Sequence, residues 1–192
     1  MSETDILRLA RAFRFAAEAH VEQRRKGERQ EPYVNHLAEV ADLVAGATGG
    51  RDPDLVVAAL LHDTIEDTSV TRADLEATFG SRVAGIVAEV TDDRTRPKSE
   101  RKRAQVQHAS HISREAQILK LADKTSNIRG ILKSPPQGWS DERKAEYVAW
   151  GREVVEICRA ACPPLGVAFD EAARETLEQL GHGAAPTGDP QT

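Results

Sequence analysis

Apolar residues recur along most of this chain with the three- to four-residue spacing that places them on one face of an α-helix. In the first such stretch, Ile6 to Gln23, the residues Leu9, Ala12 and Ala16 share one side. No segment shows the sustained alternation of apolar and polar residues that is typical of a half-buried strand. The pattern therefore predicts an all-α fold arranged as a helical bundle.

Capping residues predict where several of these helices begin. Asp52 followed by Pro53 combines a favoured N-cap with proline at the first helical position. Thr71 with Asp74 three residues later has the pattern of a capping box. Gly49-Gly50 and Ser134 to Gly138 are breaks. The other predicted helices run from Asn35 through Ala45, Ser81 to Val90, Glu100 to His108, from Ser113, from Ser140 to Ala161, and after Pro163-Pro164.

The composition is typical of a single globular domain. The chain has 192 residues, of which 40% are hydrophobic and 30% charged, and no apolar run reaches the length of a membrane span. The acidic N-terminus lacks the order of a signal peptide. Cys158 and Cys162 are expected to be free thiols in a reducing compartment. We therefore expect one cytoplasmic domain over residues 1–180 and a disordered tail over residues 181–192.

The charge distribution bears on the ligands that the protein can take. A net charge of −5 argues against general nucleic-acid binding. Two segments are nevertheless basic: Arg24 to Arg29, and Arg94 to Arg103, which holds six Lys and Arg residues against one Glu. They are either solvated surface or the flanks of a pocket for a highly phosphorylated small molecule, which needs local positive charge whatever the net charge.

The segment Ala58 to Thr68 carries the most specific chemistry. Its apolar helix ends in His62 and Asp63, and an unpaired charge brought into the core there would cost several kcal/mol. His36 and Asp123, on other predicted helices, can join this pair in the interior of a bundle. Two imidazoles and two carboxylates suit Mn, Fe or Zn better than Ca or Mg. This constellation predicts a metal-dependent phosphohydrolase.

Glu66 and Asp67 follow His62 and Asp63 by one helical turn. They are placed to orient an attacking water, accept its proton or protonate the leaving oxygen. The alternative is that they are acidic first-turn residues of an exposed helix, where they would complement the helix dipole. The other histidines have no comparable context and are predicted to be structural or on the surface: His20, His108, His111 and His182.

Several short motifs occur in an order found in a known family. They are Pro32 to His36, Ala58 to Thr68, Phe79-Gly80, Glu89 to Asp93, Lys120 to Lys124 with Asn127, Gly138 to Ser140, and Glu146-Tyr147. In these motifs the chain resembles the HD-domain hydrolases. Within them it is most similar to the hydrolase half of the RelA/SpoT alarmone enzymes, in the small stand-alone form found in animals and bacteria.

The resemblance implies an HD-domain helical bundle with one Mn ion held by His36, His62, Asp63 and Asp123. It implies that the enzyme removes the 3′-pyrophosphate of ppGpp or pppGpp, releasing GDP or GTP and pyrophosphate. The implied catalytic pair is Glu66 and Asp67. By motif position, the implied substrate-binding residues are Arg25, Lys26, Arg94, Lys98, Asn127, Arg129 and Tyr147.

One departure from the family pattern concerns the substrate pocket. Thr125 and Ser126 stand where relatives more often have Leu followed by an aromatic residue or His. This difference predicts a more polar pocket wall and bears on substrate preference more than on catalysis.

Other functions remain compatible with the sequence. The same metal site would serve a phosphatase acting on NADPH, on ppApp-like nucleotides or on nucleoside monophosphates. A non-catalytic nucleotide-binding module is disfavoured because it needs no Glu66-Asp67 pair. An RNA-binding protein using Arg94 to Arg103 is disfavoured by the acidic balance and the scarcity of aromatic residues. We expect no nucleic-acid or membrane partner, and the oligomeric state stays open.

Overall fold

The computed structural model describes residues 3–181, and within this range the chain is helical apart from its loops and two isolated bridges. Residues 182–192, which hold His182 and most of the predicted tail, lie outside the described residues. The helices are α1 Glu3–Ala19, α2 Val34–Thr48, α3 Pro53–Leu61, α4 Thr64–Asp67, α5 Arg72–Phe79, α6 Ser81–Val90, α7 Lys98–His108, α8 Arg114–Lys133, α9 Asp141–Cys158 and α10 Pro163–Gln179, with a 3₁₀ turn at Arg159–Ala161. The predicted all-α fold is confirmed.

Most of the predicted helix starts are also confirmed. The Asp52 carboxylate accepts a hydrogen bond from the backbone N–H of Leu55 at 3.1 Å, with Pro53 at the first helical position. Thr71 and Asp74 form the reciprocal capping box of α5. Ser113 and Ser140 cap α8 and α9, each accepting a bond from a backbone N–H one turn later. These local signals determine helix starts because each side chain satisfies an otherwise unpaired backbone donor.

Several predicted boundaries were wrong, among them the end of α9, which lies at Cys158 instead of Ala161. Helix α1 ends at Ala19 instead of Gln23, and α7 begins at Lys98 instead of Glu100. Asn35 lies inside α2, which follows Tyr33 without a side-chain cap. For α1 and α2 the physical reason is the loop over residues 20–33, whose two sides are joined by backbone hydrogen bonds such as that from the Tyr33 N–H to the Gln23 carbonyl at 3.1 Å.

Helix packing places the C-terminal end of α3 in the interior of the protein. Every residue from Leu55 to Leu61 is buried, because α3 packs against α1, α2 and α6. Helix α8 lies at the centre of the bundle and contacts α2, α6, α9 and α10. The polar residues that follow α3 therefore meet polar residues of α2 and α8 inside the protein.

Two further sequence predictions concern membranes and thiols. Among residues 3–181, none of the helices is both long and apolar enough to cross a membrane. Cys158 and Cys162 are buried free thiols, as predicted. Burial raises the pKa of the Cys158 thiol to about 11, so it stays protonated and unreactive at neutral pH.

Candidate active site

The four predicted metal ligands come together from α2, the end of α3 and α8. His36 Nε2 lies 3.6 Å from Asp63 Oδ2 and 3.4 Å from Asp123 Oδ1. His62 Nε2 lies 3.0 Å from Asp63 Oδ2 and 3.8 Å from Asp123 Oδ1. Ligand atoms of His36, His62 and Asp123 all lie within 4.8 Å of one another. Both His62 and Asp63 reach the same point because they sit at the helix end, between α3 and α4.

The hydrogen bonds of the two imidazoles fit a metal ion. Nδ1 of His62 is 2.8 Å from the carbonyl oxygen of Ala59, and this acceptor requires the proton on Nδ1. Nδ1 of His36 is 2.9 Å from the hydroxyl of Ser126. The Nε2 atom of His62 is buried and makes no aligned hydrogen bond, although Asp63 lies close to it. With the proton on Nδ1, each imidazole in its neutral form would present an Nε2 lone pair beside two carboxylates, and this donor set suits first-row divalent ions.

The electrostatics of the metal-free cluster also favour a cation. Burial acts to lower the pKa of His62, but the carboxylates of Asp63 and Asp123 outweigh it and raise this pKa to about 10. Burial keeps the pKa of the neighbouring His36 below its ordinary value. The cluster therefore attracts one positive charge, which a proton on His62 provides when no metal ion is bound.

Polar neighbours hold the carboxylates of Asp63 and Asp123 in place. The hydroxyl of Tyr33 donates to Asp63 Oδ2 at 2.6 Å. Asp123 accepts at Oδ2 from the buried ammonium of Lys124 at 2.8 Å, and at Oδ1 from the Asn127 amide at 2.6 Å. Such neighbours orient ligands and commonly change metal affinity about 10- to 100-fold when they are removed.

Glu66 and Asp67, on α4, lie beside the cluster in different environments. Glu66 Oε2 accepts from the backbone N–H of Asp92 at 3.0 Å, and Arg101 Nη1 lies 3.4 Å from Oε1. Burial, with the nearby carboxylates Asp92 and Asp63, raises the pKa of Glu66 to about 7. Asp67 accepts one bond at each carboxylate oxygen, from Arg94 at 2.8 Å and from Gln23 at 2.7 Å.

An open cavity of about 850 Å³ adjoins these carboxylates. This volume is within the range of small-molecule sites. Of the predicted substrate-binding residues, six line the cavity: Arg25, Lys26, Arg94, Lys98, Asn127 and Tyr147. Arg129 does not line it, because its guanidinium faces Glu39, with Nη1 3.7 Å from Oε1. The sequence interpretation that placed Arg129 near the substrate is therefore not supported by its position.

Sequence reasoning assigned no site role to Lys102, Trp139 or Trp150, which also line the cavity. Lys102 Nζ lies 4.8 Å from the centroid of Trp150, and Lys98 Nζ lies 5.6 Å from that of Trp139. Partial burial and the positive charges of Arg143 and Lys26 lower the pKa of Lys98. Two signals pointed to Lys102: it belongs to the basic segment Arg94 to Arg103, and it lies four residues after Lys98 on α7, so the two share a face.

The neighbourhood of His20 was also missed. His20 is buried, as a structural residue should be, but its Nδ1 is 2.5 Å from Gln23 Oε1 and its ring stacks on Tyr33 at 5.2 Å. It thus supports the two residues that hold Asp67 and Asp63. His108 and His111 are exposed, which confirms the prediction for them.

The predicted polar pocket wall at Thr125 and Ser126 was wrong. Neither residue lines the cavity; the Thr125 hydroxyl donates to the Leu121 carbonyl, and Ser126 lies behind His36. Successive residues of a helix are rotated by about 100°, so Asp123 and Asn127 face the cavity while Thr125 and Ser126 face the protein interior.

Comparison with known proteins gives a family and close relatives. The model of the HD domain family matches residues 12–148. The guanosine-3′,5′-bis(diphosphate) 3′-pyrophosphohydrolase MESH1 of Xenopus tropicalis is 47% identical over 156 residues, which cover 81% of this chain and 87% of the relative. The human protein of the same name is 45% identical over 178 residues, covering 93% and 97%.

A solved structure supports the same relationship. It belongs to a metazoan orthologue of SpoT described as hydrolysing ppGpp and taking part in starvation responses. It superposes on this chain with a TM-score of 0.83 at 38% identity, covering 91% of this chain and 96% of its own.

Proposed function

The chain belongs to the HD domain family, and from this premise we propose that it is a guanosine-3′,5′-bis(diphosphate) 3′-pyrophosphohydrolase that uses one Mn²⁺ ion. It cleaves ppGpp or pppGpp to GDP or GTP and pyrophosphate. The observation that carries the proposal is the convergence of His36, His62, Asp63 and Asp123 beside a cavity with cationic walls. Relatives that carry this activity in their names share 47% and 45% of the aligned residues.

His36, His62, Asp63 and Asp123 would hold the ion. When bound, a divalent ion supplies a water of lowered pKa and polarises a phosphoryl oxygen. The mixed imidazole and carboxylate donors also accept Fe or Zn, and the choice of Mn²⁺ rests on the family resemblance. Tyr33, Lys124 and Asn127 orient the two carboxylates through the hydrogen bonds described above.

Glu66 and Asp67 have separate roles in this proposal. Asp67 is an acceptor with both oxygens already fixed by Arg94 and Gln23, and it orients the attacking water. Glu66, with a pKa of about 7, holds or releases a proton at neutral pH and donates it to the ribose 3′-oxygen as the bond from that oxygen to phosphorus breaks. The proton is needed because an alkoxide is a poor leaving group.

The cavity walls offer matching contacts for a phosphorylated nucleotide. Arg25 lies 5.8 Å above the Tyr33 ring and donates to Asn127 Oδ1 at 3.2 Å, so its planar group is held near the metal ligands, where it can stack on guanine. Lys98 and Lys102 on α7 face the same cavity and supply charge for the distal phosphates.

The testing experiment is product analysis with metal-free protein. The protein is incubated with ppGpp, with or without Mn²⁺, and NADPH is run in parallel as the rival substrate. Release of GDP and pyrophosphate only with Mn²⁺, and its loss in Asp63→Ala, is the expected result. Phosphate release from NADPH alone would retain the metal mechanism and replace the substrate. Turnover of neither, by protein that holds its metal, would overturn the proposed activity.

We also propose that the protein is cytoplasmic and that residues 1–180 form one domain. The buried free thiols Cys158 and Cys162 suit a reducing compartment. Microscopy of a fluorescent fusion in the native cell tests the location, and limited proteolysis that leaves a single resistant fragment tests the domain.

A further inference from the structure

His36 is connected to a carboxylate of its own helix through a side chain of α8. The imidazole Nδ1 lies 2.9 Å from the hydroxyl oxygen of Ser126. That hydroxyl donates a hydrogen bond of 2.8 Å to Oε2 of Glu39. His36 and Ser126 are buried, with exposed fractions of 3% and 1%, so bulk water does not compete for the bond between them.

The direction of each proton in this chain follows from the groups involved. A carboxylate only accepts, so the single hydroxyl proton of Ser126 points to Glu39. A lone pair of Ser126 then faces His36, and Nδ1 of the imidazole must carry the proton between them. The Nε2 atom is left with its lone pair directed at the metal site, 3.4 Å from Asp123 Oδ1.

Helical spacing explains why these groups meet. Glu39 follows His36 by three residues on α2, and Ser126 follows Asp123 by three residues on α8, so the members of each pair are neighbours about one turn apart on the helix surface. The α2–α8 contact thus presents two metal ligands at one level and two hydrogen-bonding partners one turn away. The second oxygen of Glu39 faces further cations of α8, with Lys133 Nζ at 3.5 Å.

We infer that Ser126 and Glu39 are positioning residues that hold His36 in the tautomer and orientation required for metal binding. The inference rests on the proposed metal-dependent function and adds two residues to it. His62 is held differently, since its Nδ1 partner is the main-chain carbonyl of Ala59, which a side-chain substitution at Ser126 leaves in place. We call the hydrogen-bonded chain of His36, Ser126 and Glu39 the relay. Substitutions at Ser126 or Glu39 therefore affect one metal ligand of the four.

Manganese affinity of the metal-free protein is the direct test. Free Mn²⁺ is measured by electron paramagnetic resonance during titration of wild type, Ser126→Ala and Thr125→Val. Ser126→Ala removes the acceptor of the His36 proton and is expected to weaken Mn²⁺ binding about 10-fold. Thr125→Val is the matched control because it also removes one buried hydroxyl, but that hydroxyl bonds only within α8. It is expected to bind as wild type does.

A second pair of variants isolates the acceptor at Glu39. Glu39→Met removes it and is expected to weaken Mn²⁺ binding, whereas Glu39→Gln keeps an oxygen for Ser126 and is expected to retain most of the affinity. Both variants lose the charge that faces Arg129 and Lys133, so this loss cancels in the comparison. Hydrolysis by Ser126→Ala is expected to fall at limiting Mn²⁺ and to recover when Mn²⁺ is saturating.

The outcomes separate this inference from the proposed function. Ser126→Ala with wild-type Mn²⁺ affinity, or Thr125→Val weakened as much as Ser126→Ala, would overturn the relay. Equally weakened Mn²⁺ binding in Glu39→Gln and Glu39→Met would overturn the acceptor role of Glu39. Wild-type protein that binds no Mn²⁺ would overturn both the relay and the proposed metal site. Wild type that binds Mn²⁺ with the expected variant order, but leaves ppGpp intact, would support the relay and overturn the proposed activity.

Discussion

The side-chain amide of Gln23 donates a hydrogen bond of 2.7 Å to Oδ2 of Asp67, across 44 positions of sequence. Arg94 donates to the other carboxylate oxygen at 2.8 Å and to the Glu66 carbonyl at 3.0 Å. The loop that follows α1 and the loop that follows α6 therefore fix Asp67 from opposite sides. A carboxylate held at both oxygens keeps one orientation toward the metal site.

Replacing Gln23 by Met removes the amide donor at nearly constant length. Because a small misplacement of a catalytic group is costly, we expect kcat for ppGpp to fall about 10- to 100-fold with metal affinity unchanged. Steady-state kinetics and Mn²⁺ titration measure the two quantities. Gln107→Met, on an exposed position of α7, is the control. A fall in metal affinity that accounts for the whole loss would contradict the orienting role of Gln23.

Glu66→Gln removes the proposed proton donor, and Asp67→Asn removes the carboxylate proposed to orient the attacking water, each without a change of size. Each is expected to lower kcat at least about 100-fold, because proton transfer and orientation of a reactant each contribute at least this much. Neither residue belongs to the ligand set, so bound Mn²⁺, measured by elemental analysis, is expected to equal that of wild type. Normal turnover in both variants would favour a role as ordinary acidic residues of α4.

The raised pKa of Glu66 predicts a pH-dependent stability. Its pKa is about 7 in the folded protein against an ordinary value of 4.5, so the folded state binds more protons between these values. The contribution of Glu66 to the unfolding free energy is therefore fully present below pH 4.5 and decreases as the pH rises toward 7. Urea denaturation of metal-free protein should show Glu66→Gln more stable, relative to wild type, at pH about 8 than at pH about 5. An identical difference at both pH values would refute the assignment.

Asp52 is expected to stabilise the fold from outside the active site. Asp52→Ala removes the N-cap of α3 and should lower the unfolding free energy by about 1 kcal/mol. Asp52→Asn keeps the cap acceptor but weakens the pair with Arg82, whose guanidinium donates at 2.7 Å to each carboxylate oxygen. The Arg82 bonds hold the pKa of Asp52 below its ordinary value. The pair's contribution to the unfolding free energy is therefore present above that ordinary value and is lost as the pH falls below it. Hydrolysis by Asp52→Asn should stay unchanged.

Removal of the metal ion is expected to destabilise the protein reversibly. An ion that binds only the folded state adds about 2.7 kcal/mol to the unfolding free energy at a concentration 100 times its Kd. Calorimetry should therefore show a lower Tm after chelation and recovery on addition of Mn²⁺. In Asp123→Asn, where a ligand carboxylate is lost, the recovery should be much smaller. A full recovery in that variant would place the ion elsewhere.

The sequence alone determined most elements of this protein and the chemistry of its proposed metal ligands. Helices, most caps and the His62-Asp63 end of α3 depend on neighbours within one or two turns, and such interactions are readable from spacing. The choice of His36 and Asp123 rested on the family resemblance of the motifs that contain them, and residue type added that two imidazoles and two carboxylates suit one divalent ion.

Only the tertiary structure decided which face of each helix meets the cavity. On α8, Asp123 and Asn127 face the cavity, whereas Ser126 and Arg129 face α2 and its residue Glu39. Spacing establishes that residues share a face, but the partner of that face depends on packing between helices that are distant in sequence. The same reason applies to Lys102 on α7 and Trp150 on α9, which meet at the cavity wall only in the folded bundle.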